Sequence, residues 1–316
     1  MEAKHMSDLS EHLAIHSAGE PFALAEADVQ RFRTEGFLTV ERLMPADEVT
    51  ATRATMTRLF DSRAGFDEGA RFDFLSADDD PDKPAMPQIL RPSVYAPELL
   101  RGVAAERAGI VARQLLGDEA RLSYDHVMMK PPLDGVATPW HQDDAFADPA
   151  FESRSVSFWI PLQAVDERNG CLCFMPGSPD RDVLPHRSPG GDDRVHGLEC
   201  IEGFDAAEGV SCPIEAGGCT IHTARTLHGA GPNRSKAPRT AFVMVFSTPK
   251  VPASSVIARP WLDGKQTARS AREKSWMRRG GLALLVWRRL SSTTVADYRR
   301  LLPGLVQRVS GRLRGR

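Results

Sequence analysis

The stretch TPWHQDDAF, residues 138 to 146, places a histidine and two aspartates in a region that otherwise reads as hydrophobic and strand-rich. His141 and Asp143 form an H-x-D pair. On an extended chain the side chains of residues i and i+2 leave from the same side, so the imidazole and the carboxylate can face one cavity. A second imidazole is available far downstream at His228, in TLHGAGPNRSKAPRTAF, and Arg239 follows it by 11 residues. Two neutral imidazoles and one carboxylate on one face of a metal, with the remaining positions open, are the ligand set of non-haem Fe(II) oxygenases. The planar fork of an arginine suits a carboxylate, to which it donates two parallel charge-assisted hydrogen bonds. An H-x-D alone also fits a surface turn. The later histidine and its arginine make the combination far more specific than any member.

The elements that would position these groups follow from periodicity. LAEADVQRFRTEG fits a helix with Leu24, Val29 and Phe32 near one face and Gly36 as its stop, and FLTV fits a short strand. After Pro45 a second helix repeats Val49, Met56 and Leu59 or Phe60, with Asp47 and Glu48 suited to its first turn. Residues 61 to 87, rich in Asp, Gly and Pro, read as a long loop, a form often used for lids or binding segments. A third helix is expected over 97 to 116, ending at Gly117. RLSYDHVMMK, SVSFWIPLQAV, CLCFM, CTIHT and TAFVMVFS are then short runs with β-branched or aromatic content between Pro, Gly and Asp clusters. Strands after a helical start predict a mainly β fold with flanking helices, an antiparallel sandwich or jelly roll.

At 316 residues and 41% hydrophobic, the chain can bury one large core or two modest ones. The net charge of −2 hides an asymmetry: residues 251 to 316 hold 15 Lys/Arg against three Asp/Glu, so the body is acidic and the end basic. No run approaches the roughly 20 apolar residues that span a bilayer, and the amino terminus lacks a signal layout. A cytoplasmic protein is expected. MEAKHM reads as vector-derived sequence before a start at Met6. Five cysteines with no repeating spacing read as reduced thiols. The expected divisions are residues 1–22 as vector-derived residues and an arm, 23–250 as the catalytic domain, and 251–316 as a basic helical extension.

On these motifs the chain resembles the phytanoyl-CoA dioxygenase family of Fe(II)/2-oxoglutarate-dependent oxygenases, over roughly residues 24 to 247. GFLTVERLMPADEV resembles the family's helix-strand opening, and MMKPPLDGVATPWHQDDAF its first metal-binding segment. VSFWIPLQAVDERNGCLCFMPGS resembles the sheet segment that follows, and HGAGPNRSKAPR the distal histidine and arginine segment. The resemblance implies a double-stranded β-helix, or cupin-like jelly roll. It also implies Fe(II), 2-oxoglutarate and O2, with His141, Asp143 and His228 as ligands and Arg239 on the distal carboxylate of 2-oxoglutarate. Trp159 matches a position lining the co-substrate pocket; its other reading is an ordinary core tryptophan. Gln142, between two ligands, and Gln88, on a looser match, are further candidates for co-substrate contact.

Three departures stand out. Gly218-Cys219 replaces the family's usual Gly-Asp, and Gly177-Ser178-Pro179 replaces its Gly-Ser-His; both read as loop differences. Ala230 stands where a polar residue is frequent, which removes one hydrogen bond to 2-oxoglutarate. Rival ligands are weaker. His222 lacks the arginine offset, Asp144 should face opposite to Asp143, and His126, His186 and His196 read as surface or core histidines. Cys171 and Cys173 read as packing residues.

The implied chemistry is oxidation of a held substrate with release of succinate and carbon dioxide. Asp143 fills the position that iron halogenases of this fold leave to halide, which favours hydroxylation. Desaturation, cyclisation and epimerisation depend on the substrate. Cavity walls are expected from residues 61–95, 144–155 and 179–210, and the polar PHRSPGGDDRVHG points to a hydrophilic small metabolite or natural-product intermediate. An acyl-thioester is the alternative, although the acidic body does not advertise the basic residues that its phosphates would want. A silent metal- or metabolite-binding jelly roll is the rival class, and a zinc hydrolase lacks a positioned base. The basic segment over 268–316 reads as a helical extension packed on the body, with peripheral membrane contact as its second reading and nucleic acid not expected. Monomer and homodimer are both open.

Overall fold

The structure, a computed structural model, describes residues 13–14, 22–80, 83–133, 136–180 and 182–281. The amino-terminal arm, apart from Leu13–Ala14, and the basic segment beyond Gly281 therefore lie outside the described residues.

Helix α1 (Glu26–Glu35) stops where expected: Gly36 takes a φ of +87° and its N–H bonds to the carbonyl of Phe32. A Cβ there would stand 2.6 Å from both Pro179 and Thr226, so this glycine also lets the loops behind the site dock on the helix end. Strand β1 (Phe37–Val40) follows, and then α2 (Ala46–Asp61), which buries Val49, Thr52, Met56, Leu59 and Phe60. The expected loop of 61–87 contains a strand, β2 (Arg71–Asp73), paired with β3 (Pro87–Leu90). Three residues are too few to show an alternation. The Asp73 carboxylate closes the intervening loop by accepting from the N–H groups of Leu75, Ser76, Ala85 and Met86.

The third helix begins later than the periodicity suggests. Pro97–Leu100 is a separate 3-10 turn, and α3 runs over Val103–Leu116. Glu48 sets the start, because its carboxylate accepts from the N–H groups of Val103 and Ala104 at 2.9 and 3.2 Å. Gly102 gives it room: a Cβ would stand 2.1 Å from the Glu48 carboxylate.

The remaining strands of the two main sheets are β4 (Arg121–Lys130), β5 (Thr138–His141), β6 (Ser155–Pro161), β7 (Leu172–Phe174), β8 (Val210–Cys212), β9 (Cys219–Thr223), β10 (His228–Ala230) and β11 (Arg239–Ser247). The large sheet runs β1-β9-β6-β11-β4-β3-β2, with Leu13–Ala14 along its β1 edge, and the small sheet runs β8-β7-β10-β5. Alternation separates two cores. On β11, Phe242, Met244 and Phe246 pack with the helices, while Ala241, Val243 and Val245 face the small sheet together with Trp159, Leu172 and Phe174. This is the expected jelly roll with helices on one face. A last helix, α4 (Ala268–Trp276), carries the start of the basic segment. No helix among the described residues is long and apolar enough to cross a membrane.

Candidate active site

His141 ends β5 and His228 begins β10, and the two are direct cross-strand partners with ring centroids 4.3 Å apart. Each imidazole has Nδ1 near the carbonyl two residues before it, Pro139 at 2.8 Å and Thr226 at 2.9 Å. Donation from Nδ1 leaves the Nε2 lone pairs free for a metal. Burial lowers the pKa of both rings, that of His228 well below the ordinary value, so no proton competes at neutral pH.

Asp143 opens a 3-10 turn, Asp143–Phe146, directly after β5. Its Oδ1 lies 3.8 Å from Nε2 of His141 and 3.9 Å from Nε2 of His228. Its Oδ2 is turned the other way, 3.1 Å from the Ser157 hydroxyl and 3.5 Å from Nε2 of His222. Burial opposes the charged carboxylate, but the hydrogen bond from His222, the largest of the opposing causes, lowers its pKa and keeps the group ionised. One ligand atom from each of His141, Asp143 and His228 falls within 4.8 Å of the others, the only such group among the described residues.

Arg239, at the start of β11, is 1% exposed, and its Nε, Nη1 and Nη2 all lack a partner. Its guanidinium lies 5.2 Å over the Trp159 ring. Burial lowers its pKa to about 10, which still leaves it charged at neutral pH. Lys130, its cross-strand partner, is instead satisfied by the carbonyls of Val136 at 2.8 Å and Gly231 at 2.6 Å. A buried cation with no partner is costly, so the site is shaped to receive an anion. Arg239 and the His-Asp-His group line one cavity of about 880 Å³.

The sequence profile of the phytanoyl-CoA dioxygenase (PhyH) family matches residues 32–241. The chain belongs to the phytanoyl-CoA dioxygenase family. It is 28% identical over 241 residues to the ectoine dioxygenase of Bordetella bronchiseptica, a match covering 72% of this chain and 76% of that one. The crystal structure of EvdO2 from Micromonospora carbonacea var. aurantiaca, complexed with 2-oxoglutarate, superposes with a TM-score of 0.66 at 34% identity, covering 76% of this chain and 97% of that one. The epimerase SnoN, in complex with Fe3+, alpha-ketoglutarate and nogalamycin RO, matches with a TM-score of 0.55 at 25% identity, covering 75% and 90%. This phytanoyl-CoA dioxygenase family member is an Fe(II)/2-oxoglutarate-dependent oxygenase, and iron, 2-oxoglutarate and O2 are its cofactors. Its residues fit them: the His-Asp-His donors suit iron, and the unpaired Arg239 suits the far carboxylate of a dicarboxylate.

Other predicted residues fall in different places. Trp159 lines the cavity, with its Nε1 buried and unpaired. Gln88 also lines it, with Nε2 at 3.0 Å from Nδ1 of His126. Gln142 is turned away, contrary to the expected co-substrate contact. Its amide donates to the Arg225 carbonyl at 2.8 Å and accepts from the Leu184 N–H at 2.8 Å. The parity that puts His141 and Asp143 on one side puts Gln142 on the other. Asp144 faces Arg225 at 3.4 Å and Arg259 at 3.6 Å, away from the ligand group.

The expected walls are present, Glu68 to Tyr95 among them, with Phe146 and His196 from the two later loops. Sequence reasoning set His222 and His126 aside as ligands without placing them at the site, and missed Ser157 behind Asp143, Tyr124 on β4 and four residues of the last helical segment. Arg91, Arg101 and Arg269 line the cavity too, so basic residues do gather there despite the acidic body.

Proposed function

We propose that His141, Asp143 and His228 hold the iron, and that Arg239 pairs with the distal carboxylate of 2-oxoglutarate against Trp159. The observation that carries this reading is the fully buried, unpaired guanidinium of Arg239 in the same cavity as the His-Asp-His group. Bound iron, 2-oxoglutarate and O2 would together supply the oxidising chemistry, with succinate and carbon dioxide as the co-products. The chain supplies placement. The Nδ1 contacts of His141 and His228 fix which nitrogen faces the metal, and Ser157 and His222 fix the rotation of the Asp143 carboxylate. Hydroxylation is the proposed outcome, because Asp143 would fill the ligand place that a halide needs.

The proposed substrate is a polar small metabolite or natural-product intermediate. Tyr124, His126 and Gln88 line one side of the cavity and offer hydrogen-bonding groups to substrate oxygens. An acyl-thioester is the second reading, favoured by Arg91, Arg101 and Arg269, which are suited to its phosphates.

The catalytic unit is placed at residues 23–250, with 251–316 as an extension whose first part packs on it. A cytoplasmic location is supported by five free cysteines. Vesicle sedimentation tests membrane contact through the basic segment, and sedimentation velocity decides between monomer and homodimer.

The test of the central reading is an anaerobic optical titration with Fe(II) and 2-oxoglutarate. A visible charge-transfer band that needs His228, and that demands more 2-oxoglutarate in Arg239→Ala, is expected. A folded, iron-loaded protein without the band would overturn the assignment.

A further inference from the structure

The chain beyond β11 is fastened to the body by three attachments. Arg259 donates to the carbonyls of Asp144 and Ala147, and Trp261 Nε1 donates to the carbonyl of Ala145 at 2.9 Å, so the first attachment clasps the turn that begins with Asp143. Lys265 then donates to three successive carbonyls, Val195 at 2.7 Å, His196 at 3.0 Å and Gly197 at 2.8 Å. Helix α4, capped at its start by the Thr267 hydroxyl, lies on the segment around β2. There Arg272 donates to the Arg71 carbonyl at 2.9 Å, pairs with the Asp78 carboxylate, and sits 4.3 Å over the Phe66 ring. The approach is close enough that a Cβ on Gly69 would stand 2.6 Å from the Arg269 carbonyl oxygen.

These attachments put Arg269, Glu273, Trp276 and Met277 on the wall of the cavity that holds the His-Asp-His group. Trp276 is fixed from behind. The chain reverses at Gly280, with a φ of +88°, and lays Gly281 against the indole, where a Cβ would stand 2.3 Å from the ring. The family match ends at residue 241, so this wall comes from sequence beyond the matched segment. Tyr124 and His126 on β4 line the same cavity.

We infer that residues 259–281 form the specificity wall of this oxygenase, with Trp276 and Arg269 as substrate-contacting residues and the Arg272–Asp78 pair as the latch that closes the wall over the iron site. This rests on the oxygenase reading of the site. The fitting substrate has a flat face for the indole and an acceptor oxygen for the guanidinium.

The test uses the full chain, loaded anaerobically with Fe(II) and 2-oxoglutarate and challenged with two chelators of different bulk, bipyridine and bathophenanthroline disulfonate. In the parent protein the bulky chelator is expected to strip iron far more slowly than the small one. Arg272→Ala and Trp276→Ala are expected to speed stripping by the bulky chelator at least about fivefold, with little change for the small one. The 2-oxoglutarate charge-transfer band should form at the parent's concentration in both. Arg272→Lys should restore part of the protection. If Arg272→Ala fails to fold, Asp78→Asn tests the same latch, because asparagine tolerates the φ of +62° at that position. Parent-like stripping by both chelators in all these variants, with the band intact, overturns the wall. Loss of the band in the parent would sink the oxygenase reading instead.

Discussion

The Ser157 hydroxyl lies 3.1 Å from Oδ2 of Asp143, the oxygen turned away from the two histidines. Ser157 is also the cross-strand partner of His222, whose Nε2 approaches the same oxygen at 3.5 Å. Two adjacent strands thus fix one end of the carboxylate and leave Oδ1 to face Nε2 of His141 and His228. Outer contacts of this kind typically change metal affinity by 10- to 100-fold. Ser157→Ala is therefore expected to weaken Fe(II) binding by roughly tenfold while leaving the fold intact. Competition against a calibrated chelator measures it, and an unchanged affinity would mean that His222 alone suffices to orient Asp143.

Arg239 carries a cost in the protein without its co-substrate, since all three of its guanidinium nitrogens are buried without partners. A lone buried charge is costly, and even a buried ion pair replaced by well-packed apolar residues of similar volume often leaves stability unchanged or raised by about 1–4 kcal/mol. Arg239→Met should accordingly raise the Tm of the protein free of 2-oxoglutarate. The same variant should lose the further rise that 2-oxoglutarate gives the parent. Thermal melts with and without the co-substrate decide both points. A variant still stabilised by 2-oxoglutarate would remove Arg239 from its proposed role.

Gln142 separates position in the motif from role in the site. Its amide ties the Leu184 N–H to the Arg225 carbonyl, so Gln142→Leu strips partners from two backbone groups. A loss of stability on the order of 1–3 kcal/mol is expected. The 2-oxoglutarate concentration that half-fills the charge-transfer band should not move. Denaturant titration and the optical titration, run on one preparation, distinguish this from a direct co-substrate contact, which would shift the second and spare the first.

The parts of the site that were legible are those written in local spacing. His141 and Asp143 are two apart on an extended segment, and Arg239 opens a strand whose alternation continues through Ala241, Val243 and Val245 into the sandwich. The same parity could have excluded Gln142. Other contributors became visible only through pairing. Nothing near His222 in sequence says that β9 lies beside β6, which is what brings it to Asp143 with Ser157. Likewise, the length and periodicity of β4 do not tell that Tyr124 and His126 share a cavity with Trp276, more than a hundred residues later. The late start of α3 has the same origin, because the deciding carboxylate, Glu48, belongs to another helix.

His196 supplies a pH test that is independent of the metal ligands. Its ring is packed 4.6 Å from that of Phe72 and stacks on Phe146 at 5.9 Å. Burial, with Arg269 and Lys265 nearby, lowers its pKa to about 3. The unfolded chain has the ordinary value of about 6.5, so below that pH the unfolded state binds a proton that the folded state refuses. Stability therefore falls as the pH drops from about 6.5 toward about 3, and the contribution lost between pH 7 and pH 5 is on the order of 1–2 kcal/mol. His196→Phe keeps an aromatic ring in the same packing and removes the titrating group. Urea unfolding at pH 7 and pH 5 should show a smaller acid loss in the variant than in the parent, by about that amount. An equal loss in both would mean that His196 accepts its proton in the folded protein, with the aromatic cage open to water.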